Sequence, residues 1–266
     1  MRYTVADVCR AMNEAFPPET AADWDRVGLI AGAPEDAVQK VHFAVDPCAA
    51  SVEEAIAAGA DMLITHHPLY LRGTSSVAAT NAKGRWVTRA VRSRLALFAA
   101  HTNADVAAST RALAELVGME IREPLDPETG IGGVGDLPAP VPFGHLVKTF
   151  AAKLPDVPAG VLGAGDPEKP IKTLAICSGS GDSLLAAAQA SGADAYFTAD
   201  LRHHPATDHL WNDGCALICA THWASEWPLL AYMREALAEK LPELQTYVST
   251  IPTDAWNIAV RKSTIG

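Results

Sequence analysis

Short apolar runs alternate with alanine-rich amphipathic stretches along most of the chain, and this alternation restricts it to an α/β fold built from strand–helix–strand units. "KVHFAVDP" reads as a strand, "CAASVEEAIAAGA" as a helix ending at Gly59, and "DMLITHH" as the next strand. "GRWVTRAVRSR" predicts a further helix feeding the strand "LALFAAH". The segment "EPLDPETGIGGVGDLPAPVP" is rich in glycine and proline, which predicts a link between two lobes near residues 122–142. The expected division is an N-terminal α/β lobe over residues 1–128 and a C-terminal α/β lobe over 129–266.

The second lobe repeats the first. "AAGADMLITHH" at 57–67 aligns with "ASGADAYFTAD" at 190–200, matching Gly59, Ala60, Asp61 and Thr65 to Gly192, Ala193, Asp194 and Thr198. One strand later, "LALFAAHTNAD" at 95–105 resembles "CALICATHWASE" at 215–226. In both, an apolar strand runs into a histidine followed four residues on by an acid: His101 and Asp105, then His222 and Glu226. The expectation is two similar lobes related by an approximate two-fold, with a site in the cleft between them.

Polar clusters therefore fall at the C-terminal ends of predicted strands: His66–His67, His101/Asp105, Asp200 and His222/Glu226. Sites form at that edge of an open α/β sheet because loops and helix N-termini converge there. A histidine and an acid four residues apart share one helix face, so each pair can address a common ion. Adjacent residues on a strand point to opposite faces. Beyond the strand end, with Pro68 redirecting the chain, His66 and His67 are expected to splay toward two ions rather than one. Imidazole and carboxylate without thiolate suit zinc, manganese, iron, cobalt or nickel better than calcium. Isolated strand-end histidines are more often hydrogen-bonded or surface residues. Matching positions in both lobes favour a shared metal site.

A net charge of −10 and a pI near 5.3 argue against a nucleic-acid partner held through phosphates, and no basic stripe stands out by eye. No apolar run approaches the roughly 20 residues of a spanning helix. The opening "MRYTVADVCRAMNEAF" lacks a secretory h-region, so a cytoplasmic protein is expected. Cys9, Cys48, Cys177, Cys215 and Cys219 form no CxxC pair and read as reduced packing residues.

"DWDRVGL", "LITHHPLY", "AAHTNAD" and "THWASE", in that order and over nearly the whole chain, resemble the dinuclear-metal-centre proteins known as GTP cyclohydrolase I type 2 homologues, or NGG-interacting-factor-three-like proteins, in their short form. By that resemblance His67 and Asp105 bind one divalent transition-metal ion, His66 and His222 bind a second, and Glu226 bridges them. His101 is then expected to move protons as a catalytic residue, with Asp200 supporting the site's rim. His204, in "DLRHHPATDH", falls where many relatives carry a histidine and reads equally well as a surface residue. Arg26, Thr221 and Gly133 stand where relatives usually have Asn, Gly and Arg, changes that bear on substrate contacts rather than on the ligands.

The resemblance implies a metal-dependent hydrolase acting on a nucleotide or related small molecule, in a ring-shaped homohexamer built as a trimer of dimers. The alternative is a non-catalytic protein that binds or delivers metal, or serves as an interaction scaffold. "CSGSGDS" could present backbone N–H groups to an anion. It lacks the Walker lysine and the full dinucleotide spacing, and a tight strand-to-helix turn is the simpler reading. Trp24, Trp223 and Trp227 flank the site in sequence; packing is the leading expectation for them and base stacking the minor one.

Overall fold

The computed structural model describes residues 3–260. Thr4, ending strand β1 (Tyr3–Thr4), caps helix α1 (Val5–Ala15) through a reciprocal box: its hydroxyl accepts the Asp7 N–H, and the Asp7 carboxylate accepts the Thr4 N–H at 2.9 Å. Next come β2 (Gly28–Ala31), β3 (Ala37–Val38), β4 (Lys40–Ala44), α2 (Ala49–Ala57) and β5 (Met62–Thr65). Helix α3 (Ala82–Arg92), strand β6 (Ala96–Ala99) and the short α4 (Thr102–Ala104) follow, and α4 passes into a π turn over Asp105–Ser109. The strands and helices expected between residues 40 and 101 are all present.

The second series comprises α5 (Thr110–Val117), β7 (Glu120–Glu123), β8 (Gly133–Pro142), α6 (Phe143–Lys153), β9 (Leu162–Ala164) and β10 (Pro170–Ser180), then α7 (Leu185–Ala190), β11 (Ala195–Ala199), α8 (His203–Trp211), β12 (Ala216–Ala220) and α9 (His222–Glu226). The chain ends with α10 (Leu229–Lys240) and β13 (Gln245–Val248).

Two compact units result. One runs through Ser109 and also takes Trp227–Thr253; the other takes Thr110–Glu226 and the residues from Asp254. This differs from the two continuous halves expected to meet at 128/129. The glycine- and proline-rich segment is only partly a connection, because its second half is β8, paired antiparallel with both β7 and β10. Strand β13 returns to the first unit and pairs in parallel with β4, from Gln245 against Lys40 to Val248 against Phe43. A buried cluster fastens it there. The Ser249 hydroxyl donates to Glu54 Oε2 at 2.5 Å, His42 Nε2 donates to the same oxygen at 2.9 Å, and the His42 ring stacks on Tyr247 at 4.8 Å.

The first unit's sheet has the order β13-β4-β5-β6-β2, parallel through β6 and closed by the antiparallel β2. All four residues of β5 and all four of β6 are buried, as parallel strands covered on both faces require. One side of this sheet packs Val52, Ala55, Leu63, Leu69, Val87 and Leu97 into a common core.

The second unit's sheet has the order β7-β8-β10-β11-β12-β9. Its parallel strands are β10, β11 and β12, with β9 antiparallel beyond the third. Strands β4–β6 of the first sheet and β10–β12 of the second run parallel and are each followed in the sheet by an antiparallel strand; the first sheet adds β13, also parallel, before β4. No helix among the described residues is long and apolar enough to cross a membrane.

Candidate metal centre

In the first unit, ladder bonds continue past the end of β5. The His66 N–H donates to Ala44 O at 3.1 Å and the His67 N–H to Val45 O at 2.9 Å. The Thr65 hydroxyl donates to His67 O at 2.7 Å, folding the backbone over just before Pro68. The ligand nitrogens of His66, His67 and His101 all lie within 4.8 Å of one another, close enough to serve one ion or two adjacent ones.

Each of these imidazoles is fixed through Nδ1. His67 Nδ1 donates to Asp46 Oδ1 at 2.7 Å, His101 Nδ1 to Asp25 Oδ1 at 2.8 Å, and His66 Nδ1 to Ala100 O at 3.1 Å. A carboxylate or carbonyl oxygen only accepts, so the proton sits on Nδ1 and the lone pair of the neutral ring on Nε2. Metal-ligating histidines are held this way. Asp25 is buried, and it also accepts from the Thr102 N–H at 3.0 Å and hydroxyl at 2.5 Å. Burial alone would raise its pKa; the hydrogen bonds from His101 and Thr102 outweigh burial and hold the carboxyl below the usual range.

Asp105 opens the π turn, a widening of the helix that recurs at functional sites. Its Oδ1 lies 3.6 Å from His66 Nε2. The resemblance pairs Asp105 with His67; its carboxylate also lies beside His66.

In the second unit, α9 places His222 and Glu226 one turn apart, with Nε2 and Oε1 2.9 Å from each other. His222 Nδ1 donates to Asp200 at 2.6 Å, which repeats the aspartate–histidine arrangement of the first unit. Asp200 holds this position from the left-handed region, at φ 54°, a conformation aspartate tolerates better than most residues. Glu226 is 4% exposed, and a carboxylate so buried needs a cation or hydrogen-bond donors around it.

The "CSGSGDS" turn reaches this pair. Gly179, at φ 61°, donates its N–H to Ser225 Oγ at 2.8 Å, and Ser225 in turn donates to His222 O at 2.8 Å. A Cβ on Gly179 would press into Oε1 of Glu226 and come within 3.3 Å of Nε2 of His222. The turn is therefore cut back to backbone where the ligand atoms sit. In each unit, imidazole Nε2 atoms whose rings are held through Nδ1 stand beside an acidic side chain, a kind of donor that suits a divalent transition metal.

The sequence of the Duf34/NIF3 (NGG1p interacting factor 3) family matches residues 3–255. The chain belongs to this family. A GTP cyclohydrolase 1 type 2 homolog of Streptomyces coelicolor is 42% identical over 269 residues, covering 96% of this chain and 94% of that protein. The protein of the same name from Mycobacterium tuberculosis is 32% identical, covering 97% of this chain and 98% of its own. Among solved structures, a Bacillus cereus protein related to NIF3 has a TM-score of 0.88 at 19% identity, covering 97% of this chain and all of the other. A Staphylococcus aureus hypothetical protein has a TM-score of 0.86 at 25% identity with the same coverage.

Within this NIF3 chain the sequence reading missed Asp25 and Asp46, although both lie in stretches it quoted, "DWDRVGL" and "KVHFAVDP". The signal available was a carboxylate just before or after a predicted strand edge, which is too common to single out. His204 is exposed at the start of α8, its ring 5.1 Å from that of His203. Trp223 is buried, and Trp227 donates from Nε1 to Ser249 O at 2.8 Å, so both pack as expected. Trp24 does not: it is 56% exposed, with its ring edge-on to His101 at 5.9 Å.

Proposed function

We propose that this protein is a metal-dependent hydrolase acting on a nucleotide or related small molecule, with metal-holding residues in each unit. The observation that carries the reading is the recurrence of an aspartate on the Nδ1 of His67, His101 and His222. Such pairs cost conformational freedom and are worthwhile where Nε2 must point at one place. Family membership and the names of the relatives, GTP cyclohydrolase 1 type 2 homologs, support the same reading.

His66, His67 and Asp105 would hold metal in the first unit, and His222 and Glu226 in the second. When bound, the metals supply Lewis acidity and a nucleophile at neutral pH. The chain's own residues do the rest. Asp46 and Asp200 keep the rings of His67 and His222 aimed. Asp25 keeps the proton of His101 on Nδ1, so that Nε2 is free to accept a proton and return it to a leaving group. Trp24 limits access beside that nitrogen. A homohexamer belongs to the same reading and is measured by sedimentation velocity.

The test compares wild type with Glu226→Ala for metal content and for hydrolysis of nucleotides and phosphoesters. Turnover that disappears in the variant supports the hydrolase. Metal-loaded wild type with no turnover on either substrate class favours the binding or delivery protein instead.

A further inference from the structure

The acidic balance of the chain hides a basic region. Between Asp61 and Asp105 there is no Asp or Glu, while Arg72, Lys83, Arg85, Arg89, Arg92 and Arg94 fall in that interval. These six cations sit in a chain of net charge −10, which leaves −16 on the rest. Helix α3 carries four of them, Lys83, Arg85, Arg89 and Arg92. Arg85, Arg89 and Arg92 are spaced by four and then three residues, lie on one helix face, and are exposed. The expectation that the protein has no basic stripe is corrected here. The stripe is invisible to overall charge and appears only when helical periodicity is applied.

Helix stability does not account for all of it. Arg89 and Arg92 lie in the last turn, where cations interact favourably with the helix dipole. Arg85 lies in the first half, where it gains nothing from the dipole and repels Arg89 one turn on. Arg89 is clamped by Glu53 of α2, from Nε at 2.7 Å and Nη2 at 2.9 Å. Among the described residues Arg85 and Arg92 pair with no carboxylate. The three arginines border a groove of about 390 Å³ whose lining includes Val52, Ala79 and Trp86.

We infer that this groove docks a short acidic segment of a partner protein, an apolar side chain entering between Arg85 and Arg92 while flanking carboxylates pair with the two guanidinium groups. The Glu53–Arg89 clamp displays the chemistry on the same face: a carboxylate taken by two parallel N–H donors. Spacing fixes the pattern. Arg85 and Arg92 are separated by seven residues, about 10 Å of helix rise, and the long guanidinium side chains reach a little further. Side chains of an extended peptide share a face only at every second position, so the segment carries acids at i and i+4 around an apolar residue at i+2. Charge complementarity selects a short acidic stretch over a long polyanion. A nucleic acid or an anionic membrane would extend past α3 and meet the −16 carried elsewhere, whereas a five-residue stretch stays within the stripe.

The experiment measures fluorescence anisotropy of the full chain with a labelled twelve-residue peptide bearing Glu-Ser-Leu-Ser-Glu, a Gln-Ser-Leu-Ser-Gln control and a twelve-nucleotide oligo-dT. The expected result is binding of the acidic peptide that weakens about tenfold or more for the Gln control, for the Arg85→Glu/Arg92→Glu double variant, and on raising sodium chloride from 50 to 500 mM. The peptide comparison is made on wild type and so is independent of how any variant folds. Arg89 is left intact because it ties α2 to α3. The inference is overturned if the acidic peptide does not bind, if the Gln control or the double variant binds equally well, if oligo-dT binds more tightly, or if the charge reversal changes only the protein's self-association.

Discussion

Asp25 and His101 are 76 positions apart in the chain, yet Oδ1 of one lies 2.8 Å from Nδ1 of the other in the first unit. That bond, with the two from Thr102, keeps a buried carboxylate ionised and a histidine in one tautomer. Asp25→Ala should lower kcat by about 100-fold, the lower end of what a positioned general acid–base supplies, with metal content unchanged in a chelator competition. Asp25→Asn keeps an acceptor for Nδ1 and should lose less. The carboxyl's folded pKa is depressed. Its contribution to stability is therefore complete above the unfolded value of about 3.9 and is lost as pH falls toward the lower folded value. Acid unfolding followed by circular dichroism should show this pH dependence in wild type and not in Asp25→Asn.

Gly179→Ala tests the cradle around Glu226. The left-handed backbone costs an alanine about 1–2 kcal/mol, and the added methyl displaces the Glu226 carboxylate. The variant should remain folded in urea titrations and lose the metal contributed by His222 and Glu226. Ser225→Ala, which cuts the bond from Gly179, should weaken metal binding in the same direction but less. Unchanged metal affinity in both variants would mean that the turn plays no part in the site.

The return of β13 should be measurable as stability alone. Ser249→Ala leaves Glu54 without its hydroxyl donor and His42 as its remaining close partner, a loss of about 1–3 kcal/mol. A lower urea midpoint with unchanged metal content is expected. A metal-depleted Ser249→Ala protein would show that the cluster reaches the site.

These elements separate what the sequence disclosed from what it could not. The parallel strands were legible because β5 and β6 are short apolar runs bounded by turn residues, and the ligand candidates because they follow those strands at repeated spacings. The unit boundary was not. Nothing local to "LQTYVST" shows that it pairs with β4, two hundred residues earlier, since the contacts that decide it come from His42 and Glu54. The same holds for Asp25 and Asp46. A supporting carboxylate is defined by the ring it faces, and that ring lies 21 positions away for Asp46 and 76 for Asp25.

The cysteines should behave as packing residues. Burial pushes the Cys215 thiol up to about 11, so at pH 8.5 only a few per thousand of it is thiolate. Iodoacetamide should leave Cys215 unmodified in the native protein and alkylate it in urea, as read by peptide mass mapping. Rapid native labelling would place Cys215 in an opened structure.

Metal stoichiometry is the most direct measurement of the central claim. Purified protein, stripped and then reconstituted with zinc, manganese, iron, cobalt or nickel, is analysed by mass spectrometry of bound metal beside His67→Ala and His222→Ala. The account predicts close to two ions per chain in wild type for at least one of these metals, with marked loss in each variant. Fewer than one ion per two chains for every metal, or variants that bind as much as wild type, would contradict it.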